Sequence, residues 1–453
     1  MEISAKRRTG IFGVILVTCI VCTMLSTALN TALPQIMIDF EVTTNTGQWL
    51  TSIYSLVMGI LVLATPFLIR RIKTKLLYLA TLAVFIAGLF LCAFTTSFTV
   101  MLAGRVLQAA GNGVMVSLGQ VILLTVYPKE KRGSIMGVYG LAIGAAPVLA
   151  PTLAGIIVDA FGWRMIFYFM LIISALAWLL VVLVFENLLD VGKEKFDFLS
   201  LVLCAAGYSG ILMGAGNLGS YPFISFSVLL PLLLGLIAAG IFVYQQLHMR
   251  TPFLELRILK VKGYRIAVIA SMLMYSSMMA ASILLPVYVQ NVRGYSATIS
   301  GLVTMPGSLA MALTSPFAGK TYDKAGIKRV FLPGAALLAL SSLGMVFTGE
   351  AAPLVWIALL NVFRSIAIGC MMMPFVTWGM SGLDEEYTSH GTALLTSLRT
   401  VAGSFGSAIF VSLVSMVAAV STQSTGINIA FLGLTIIGVV EFGLAVYVAK
   451  KNI

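Results

Sequence analysis

Residues 137–155 read GVYGLAIGAAPVLAPTLAG. Gly140, Gly144, Pro147, Pro151 and Gly155 recur at three- and four-residue steps, so a helix gathers them on one face. That face is almost bare of side chains and lets a neighbouring helix approach closely, while the prolines remove backbone hydrogen bonds and bend the segment. No acid or base stands anywhere in the stretch. Such a helix belongs among other helices in lipid. Its two prolines four apart, framed by glycines, read as a hinge or seal between two helical bodies.

The rest of the chain agrees. Of 453 residues, 60% are hydrophobic and only 10% charged, with a mean hydropathy of +1.04. Soluble domains carry about 25% charged residues, so this is an integral membrane protein. Its unbroken apolar runs exclude a β-barrel, whose strands alternate. Many of the runs are long enough to cross a hydrocarbon core of about 30 Å as helices. The first follows Lys6-Arg7-Arg8 but is longer than the core of a signal peptide, so it is expected to stay as a helix.

Fourteen spans are expected, near 11–34, 47–69, 75–95, 99–127, 133–158, 164–185, 198–217, 226–247, 264–290, 298–319, 328–348, 353–378, 391–419 and 427–449. An even number places both termini on one side. That side carries 23 of the 28 Lys and Arg, against Arg164 and Arg293 opposite. Both termini are therefore expected in the cytoplasm of a bacterial-type cell membrane. The net charge of +12 follows from this bias and does not signal a nucleic-acid partner. All five cysteines lie in apolar runs, and Cys19 and Cys22, despite their CxxC spacing, read as packing. His248 and His390 sit at span ends without metal-spacing partners, and no P-loop or catalytic constellation occurs. No enzyme activity, cofactor or metal is expected.

The chain also repeats itself. LAGRVLQAAGNGV from 102 parallels LNVFRSIAIGCMM from 360 and aligns Arg105 with Arg364, while GSIMGVYGLAIG from 133 parallels GTALLTSLRTVAG from 391. Spans 4 and 5 thus correspond to spans 12 and 13. The expected architecture is an all-α membrane protein of 14 transmembrane helices: a six-helix bundle over 1–190, two inserted helices (7 and 8) with flanking loops over 191–262, and a second six-helix bundle over 263–453. Repeated bundles facing each other are how alternating-access transporters are built.

APVLAPTLAGIIVDAFGWRMIF (146–167) resembles the antiporter signature of the major facilitator superfamily, in particular its fourteen-helix drug/proton antiporter group. ALP (32–34), QWL (48–50), GRVLQAAGNG (104–113) and LVTMPGSLAMALTSPFAGKTYDKAG (302–326) resemble the same group, over essentially the whole chain and most of all its lincomycin-resistance-type exporters. Ala150-Pro151 and Ala154-Gly155 stand where the signature has glycine–proline and paired glycines, and alanine keeps that contact small.

The resemblance implies a secondary active exporter of small amphipathic compounds or drugs, a monomer in the bilayer, working by alternating access with proton antiport. A buried arginine inside a span is a functional suspect in its own right, and Arg105, Arg364 and Arg399 are three. The resemblance gives Arg105 a part in proton exchange, with Gln108 on the same face. Trp49 and Tyr54, with Tyr139, Tyr275 and several methionines, suit an adaptable apolar pocket. GKTYDKAGIKR (319–329) resembles the superfamily's cytoplasmic gating loop, with Asp323 and Lys324 as its charges. The matching loop PFLIRRIKTK (66–75) keeps basic residues such as Arg71 but lacks the acid and glycines.

One position departs from the group. Its relatives carry an acid in span 1, a few residues before an Asn and the ALP ending; here Ser26 stands in that place, with Asn30 about one turn on. Serine cannot carry a proton through the cycle. Three routes stay open: coupling through another acid (Glu441, the one acid deep in a span, or Glu186 or Asp39), facilitation down the substrate's own gradient, or an Arg105 left to bind an anionic or lipid-like substrate. A membrane sensor or scaffold that has lost transport is a further reading, against which the intact glycine–proline face argues.

Overall fold

The computed structural model describes residues 4–42, 44–189, 197–217, 221, 224–249, 252–295, 297–349, 352–418 and 420–451. The boundary expected at 190–191 lies outside them. Fourteen α-helices follow in order: α1 (Ala5–Asp39), α2 (Thr44–Arg71), α3 (Thr74–Phe94), α4 (Phe98–Val126), α5 (Lys129–Phe161), α6 (Arg164–Val184), α7 (Phe198–Asn217), α8 (Phe226–His248), α9 (Lys262–Val287), α10 (Ala297–Ala325), α11 (Lys328–Val346), α12 (Leu354–Ser381), α13 (Thr388–Ala418) and α14 (Gln423–Lys451). No strand occurs among the described residues. Each expected span is centred on one of these helices, but several helices run further. α1 continues to Asp39 and α5 begins at Lys129, because an apolar run measures the thickness of lipid and not the reach of backbone hydrogen bonds.

Among the described residues, twelve of the fourteen are long and apolar enough to cross a membrane. The other two, α5 and α10, are rich in glycine and proline, and α10 also in serine and threonine. Both are as long as a span requires, and in α5 several side chains, those of Pro147 and Pro151 among them, lie outside the described residues. Turns are short. Gly162 (φ +82°) ends α5 and Gly326 (φ +72°) ends α10, each in the left-handed region that favours glycine.

The chain forms two compact units. The first comprises Met1–Tyr127, Ala142–Leu201 and Met249–Leu254; the second comprises Pro128–Leu141, Val202–His248 and Glu255–Ile453. In the first, α3 packs on α4 and α6, α2 on α4, and α1 on α6. In the second, α11 packs on α12 and α14, α10 on α12, and α9 on α14. The same pairings recur with a shift of eight helices, which is the internal repeat of the sequence expressed as packing. Each unit has an apolar interior; that of the second includes Leu284, Tyr288, Leu360, Phe431 and Leu434. Its outward faces are apolar as well, such as Leu233, Leu236 and Ile237 on α8, and Leu176, Leu179 and Leu183 on α6 are their equivalent in the first. Water would penalise such faces and lipid would not.

Candidate functional site

Glycines set the position of Arg105. A Cβ on Gly88 would lie 2.7 Å from the Gln108 nitrogen, and one on Gly111 would lie 2.6 Å from the Thr81 oxygen, so the backbones of α3 and α4 touch. The contact brings Gln108 Nε2 to the Gly88 carbonyl at 3.0 Å and to Cys92 Sγ at 3.2 Å. Arg105, one turn earlier on α4, donates from Nη1 to Gln108 Oε1 (2.7 Å) and from Nε to the Leu50 carbonyl (3.1 Å). Its guanidinium carbon lies 4.1 Å from the centre of the Tyr54 ring, whose hydroxyl accepts from Asn112 Nδ2 at 2.7 Å. Arg105 is only 1% exposed. Its hydrogen bonds go to neutral acceptors, and no carboxylate pairs with it among the described residues.

Ser26 does not join this cluster. Its hydroxyl donates to the Thr23 carbonyl of its own helix at 2.8 Å, and Thr27 bonds the Thr23 and Met24 carbonyls, both at 3.2 Å. The polar stripe of α1 thus bonds back to the preceding turn. The side chains of Asn30, Pro147 and Pro151 lie outside the described residues. Trp49 is 51% exposed and Tyr54 is buried, so only the second belongs to the arginine cluster. Gln108→Ala should leave Arg105 Nη1 without its partner, at about 1–3 kcal/mol for a buried group, and remove the second bond to the Gly88 carbonyl. The expected result is a clearly lower melting temperature of the purified protein in detergent.

The second unit holds the other two arginines. Arg364 on α12 donates Nη2 to the Ser277 carbonyl and to the Ser277 hydroxyl (2.8 Å), both on α9. Glu441 on α14 lies within electrostatic reach of Arg364, yet neither of its carboxylate oxygens has a hydrogen-bond partner. It is 0% exposed. Gly438, one turn before it, explains the enclosure: a Cβ there would sit 2.7 Å from Ala339 Cα, so α14 lies directly against α11. Although α14 is the last helix in the chain, this acid faces inward. The two other acids named as carriers are engaged elsewhere. Asp39 accepts from Trp163 Nε1 (2.7 Å) and Arg164 Nη1 (3.3 Å), and Glu186 pairs with Arg7. Arg399 on α13 is buried over the Tyr275 ring of α9.

At one end of the second unit, Asp323 near the end of α10 meets the start of α5. Its Oδ1 accepts from the Gly133 N–H at 2.7 Å, and its Oδ2 accepts from the Ser134 N–H at 2.6 Å and the Ser134 hydroxyl at 2.5 Å. Bonds between N–H or O–H donors and an ionised carboxylate are stronger than neutral ones. Arg132 beside it pairs with Glu385 at 3.2 Å. Lys324 and Arg71, named with Asp323 as gate residues, are both exposed. Below Asp323 the two helices touch through glycine: a Cβ on Gly133 would lie 2.6 Å from the Gly319 oxygen, and one on Gly137 would lie 2.6 Å from the Ser315 oxygen. Gly140 continues this face, where a Cβ would meet Met373 Cγ at 2.6 Å. Gly144 is buried, whereas a Cβ on Gly155 would meet nothing within 4 Å. The close-packed stripe therefore starts earlier than the sequence suggested, at 133 and 137, and ends before 155. The three-to-four-residue spacing of Gly133, Gly137 and Gly140 was the available signal. Ser277 and the pairing of Arg132 with Glu385 carried none.

Among the described residues no group of His, Cys, Asp and Glu is placed to hold a metal ion. Buried arginines, an enclosed acid and glycine-packed helices with apolar outward faces are those of a membrane protein. The family model of the Major Facilitator Superfamily matches residues 15–407, and the chain belongs to that superfamily. It is 35% identical to the uncharacterized MFS-type transporter YcnB of Bacillus subtilis (strain 168), over 98% of this chain and 96% of that one. It is 33% identical to the lincomycin resistance protein LmrB of Listeria innocua, over 86% of this chain and 83% of the other. Among solved structures, the human organic anion transporter MFSD10 (TETRAN) has the same fold, with a TM-score of 0.69 at 15% identity, covering 97% of this chain and 99% of that one.

Proposed function

We propose that this transporter is a secondary active exporter of small amphipathic compounds that works by alternating access, with both termini cytoplasmic and all fourteen helices, α5 and α10 included, spanning the membrane. In this reading the repeat units are 1–190 and 263–453, α7 and α8 are the insert, and the chain acts as a monomer. The observation that carries it is Glu441, an enclosed acid with no hydrogen-bond partner, beside an arginine that is only partly satisfied. A buried ionisable group in a span is kept for moving ions, since it is costly otherwise. Glu441 and Arg364 replace, in the second repeat, the acid that Ser26 removes from the first. The likeness to a lincomycin resistance protein supports export of drug-like compounds.

Proteoliposomes with an imposed pH gradient test this, with lincomycin and ethidium as first probes and an entrapped pH dye to follow protons. Movement of a probe coupled to counterflow of protons is expected. If neither probe nor any amphipathic compound in a wider panel moves, the exporter reading fails; if movement ignores the gradient and uncouplers, the antiport fails.

Asp323 is assigned to the gate. Asp323→Asn keeps the shape but loses the charge from its bonds to the start of α5, and hydrogen bonds to charged groups contribute about 1.5–3 kcal/mol each. A shift of that size changes the balance of two states by about tenfold or more. Transport is expected to fall accordingly at unchanged expression, and wild-type rates would remove Asp323 from the gate.

A further inference from the structure

The three arginines buried within spans differ in what receives their N–H groups. Arg105 is bonded to Gln108 and Leu50, and Arg364 to Ser277. Arg399 is 6% exposed, and no described residue accepts a hydrogen bond from it. Its Nε and Nη1 are sealed from solvent as well. A guanidinium carries five donors and cannot shed its charge. Buried polar groups in folded proteins nearly always find partners, so one left open in this way asks for an acceptor that is not part of the chain.

Its surroundings are arranged. The guanidinium carbon lies 5.3 Å from the centre of the Tyr275 ring. Tyr275 is held across α13 by Gly403, one turn beyond Arg399, where a Cβ would meet Tyr275 Cδ1 at 2.6 Å and Met279 Cγ at 2.9 Å. The ionisable groups within electrostatic reach of Arg399 are the phenols of Tyr275 and Tyr139, not carboxylates. The site thus offers one positive charge and an aromatic and thioether floor.

We propose that Arg399, with Tyr275, recognises the anionic group of the transported molecule, and that this group is a carboxylate on an aromatic or otherwise apolar body. A planar carboxylate matches the guanidinium fork. A doubly charged phosphate would bring in a second negative charge that nothing here offsets. The proposal rests on the exporter reading above and names its substrate class. It assigns the substrate's charge to Arg399 and leaves Arg105 as a member of a closed network.

The test uses the purified full-length protein and a matched pair of probes, 1-naphthaleneacetate and its neutral amide, with binding measured by isothermal titration calorimetry. Wild type should prefer the acid at least tenfold. Arg399→Gln should abolish the preference while leaving affinity for the amide, and Arg399→Lys should retain a part of it. Affinity for the amide also reports that each variant is folded; if Arg399→Gln does not fold, the Arg399→Lys preference decides, and an unreduced one overturns the proposal. Equal binding of the two probes by wild type, an undiminished preference in Arg399→Gln, or binding of neither probe likewise overturns it. Movement of lincomycin or ethidium in proteoliposomes is read separately. If a probe moves but no carboxylate preference exists, the anion site falls and the exporter reading stands. If the preference exists but nothing moves, the site stands and the exporter reading falls.

Discussion

Glu441→Gln is expected to yield a folded transporter that still exchanges its substrate across the bilayer but no longer concentrates it in response to a pH gradient. The amide keeps the size and polarity of the carboxyl group and removes only its capacity to take up and release a proton. The packing that encloses Glu441, Gly438 against Ala339, is untouched. One pH unit is worth about 1.4 kcal/mol per proton, so a one-for-one antiporter holds about a tenfold substrate gradient against it. In the variant that factor should drop to one, while exchange of labelled for unlabelled substrate continues at a rate near that of wild type. Arg364 is the charged group within electrostatic reach of Glu441. Arg364→Gln should therefore also impair pumping, through a changed pH dependence and not through loss of exchange. Undiminished pH-driven accumulation by Glu441→Gln would show that protons, if they are used, travel by another group.

How much of this was legible beforehand depended on the kind of fact. Spans, the repeat and the small-residue face of α5 could be read, because lipid imposes length and composition and a helix imposes its period. The three intramembrane arginines could be named too. Their ranking could not. Arg105 resembled a family site residue, yet in the fold it is tied to Gln108 and to a main-chain carbonyl supplied by α2, while Arg399 donates to no described residue. Which carbonyls face a guanidinium depends on neighbours far away in the chain. The same holds for the acids. The sequence set Glu441 apart as the one acid deep in a span, but only the fold shows that it is enclosed while Asp39 and Glu186 are paired at half-exposed positions. α10 marks a further limit, since its glycines, prolines and hydroxyl-bearing residues lower the apolar signal by which spans are recognised.

Alanine at two glycines of the same helix should act with opposite sign. Gly137 and Gly155 both lie on α5, and both belong to the stretch that first suggested close packing. A Cβ at 137 would lie 2.6 Å from the Ser315 carbonyl oxygen and 2.9 Å from Pro316 Cα. Both are backbone atoms of α10, so no side-chain rotation relieves the overlap and the helices must part. Forced overpacking costs about 1–3 kcal/mol, and here it also pulls at the glycine contact between Gly133 and Gly319 next to Asp323. Gly137→Ala is therefore expected to lower the melting temperature in detergent and to cut transport at least tenfold, as the bonds from Asp323 to α5 lose their alignment. At 155 the added methyl meets nothing within 4 Å. There alanine restricts the backbone and favours the helix by up to about 1 kcal/mol relative to glycine, so Gly155→Ala should match or exceed wild type in stability and transport at its rate. If instead both variants lose activity alike, the bare face works through its flexibility along its whole length, and close approach to α10 is not what the glycines of α5 are for.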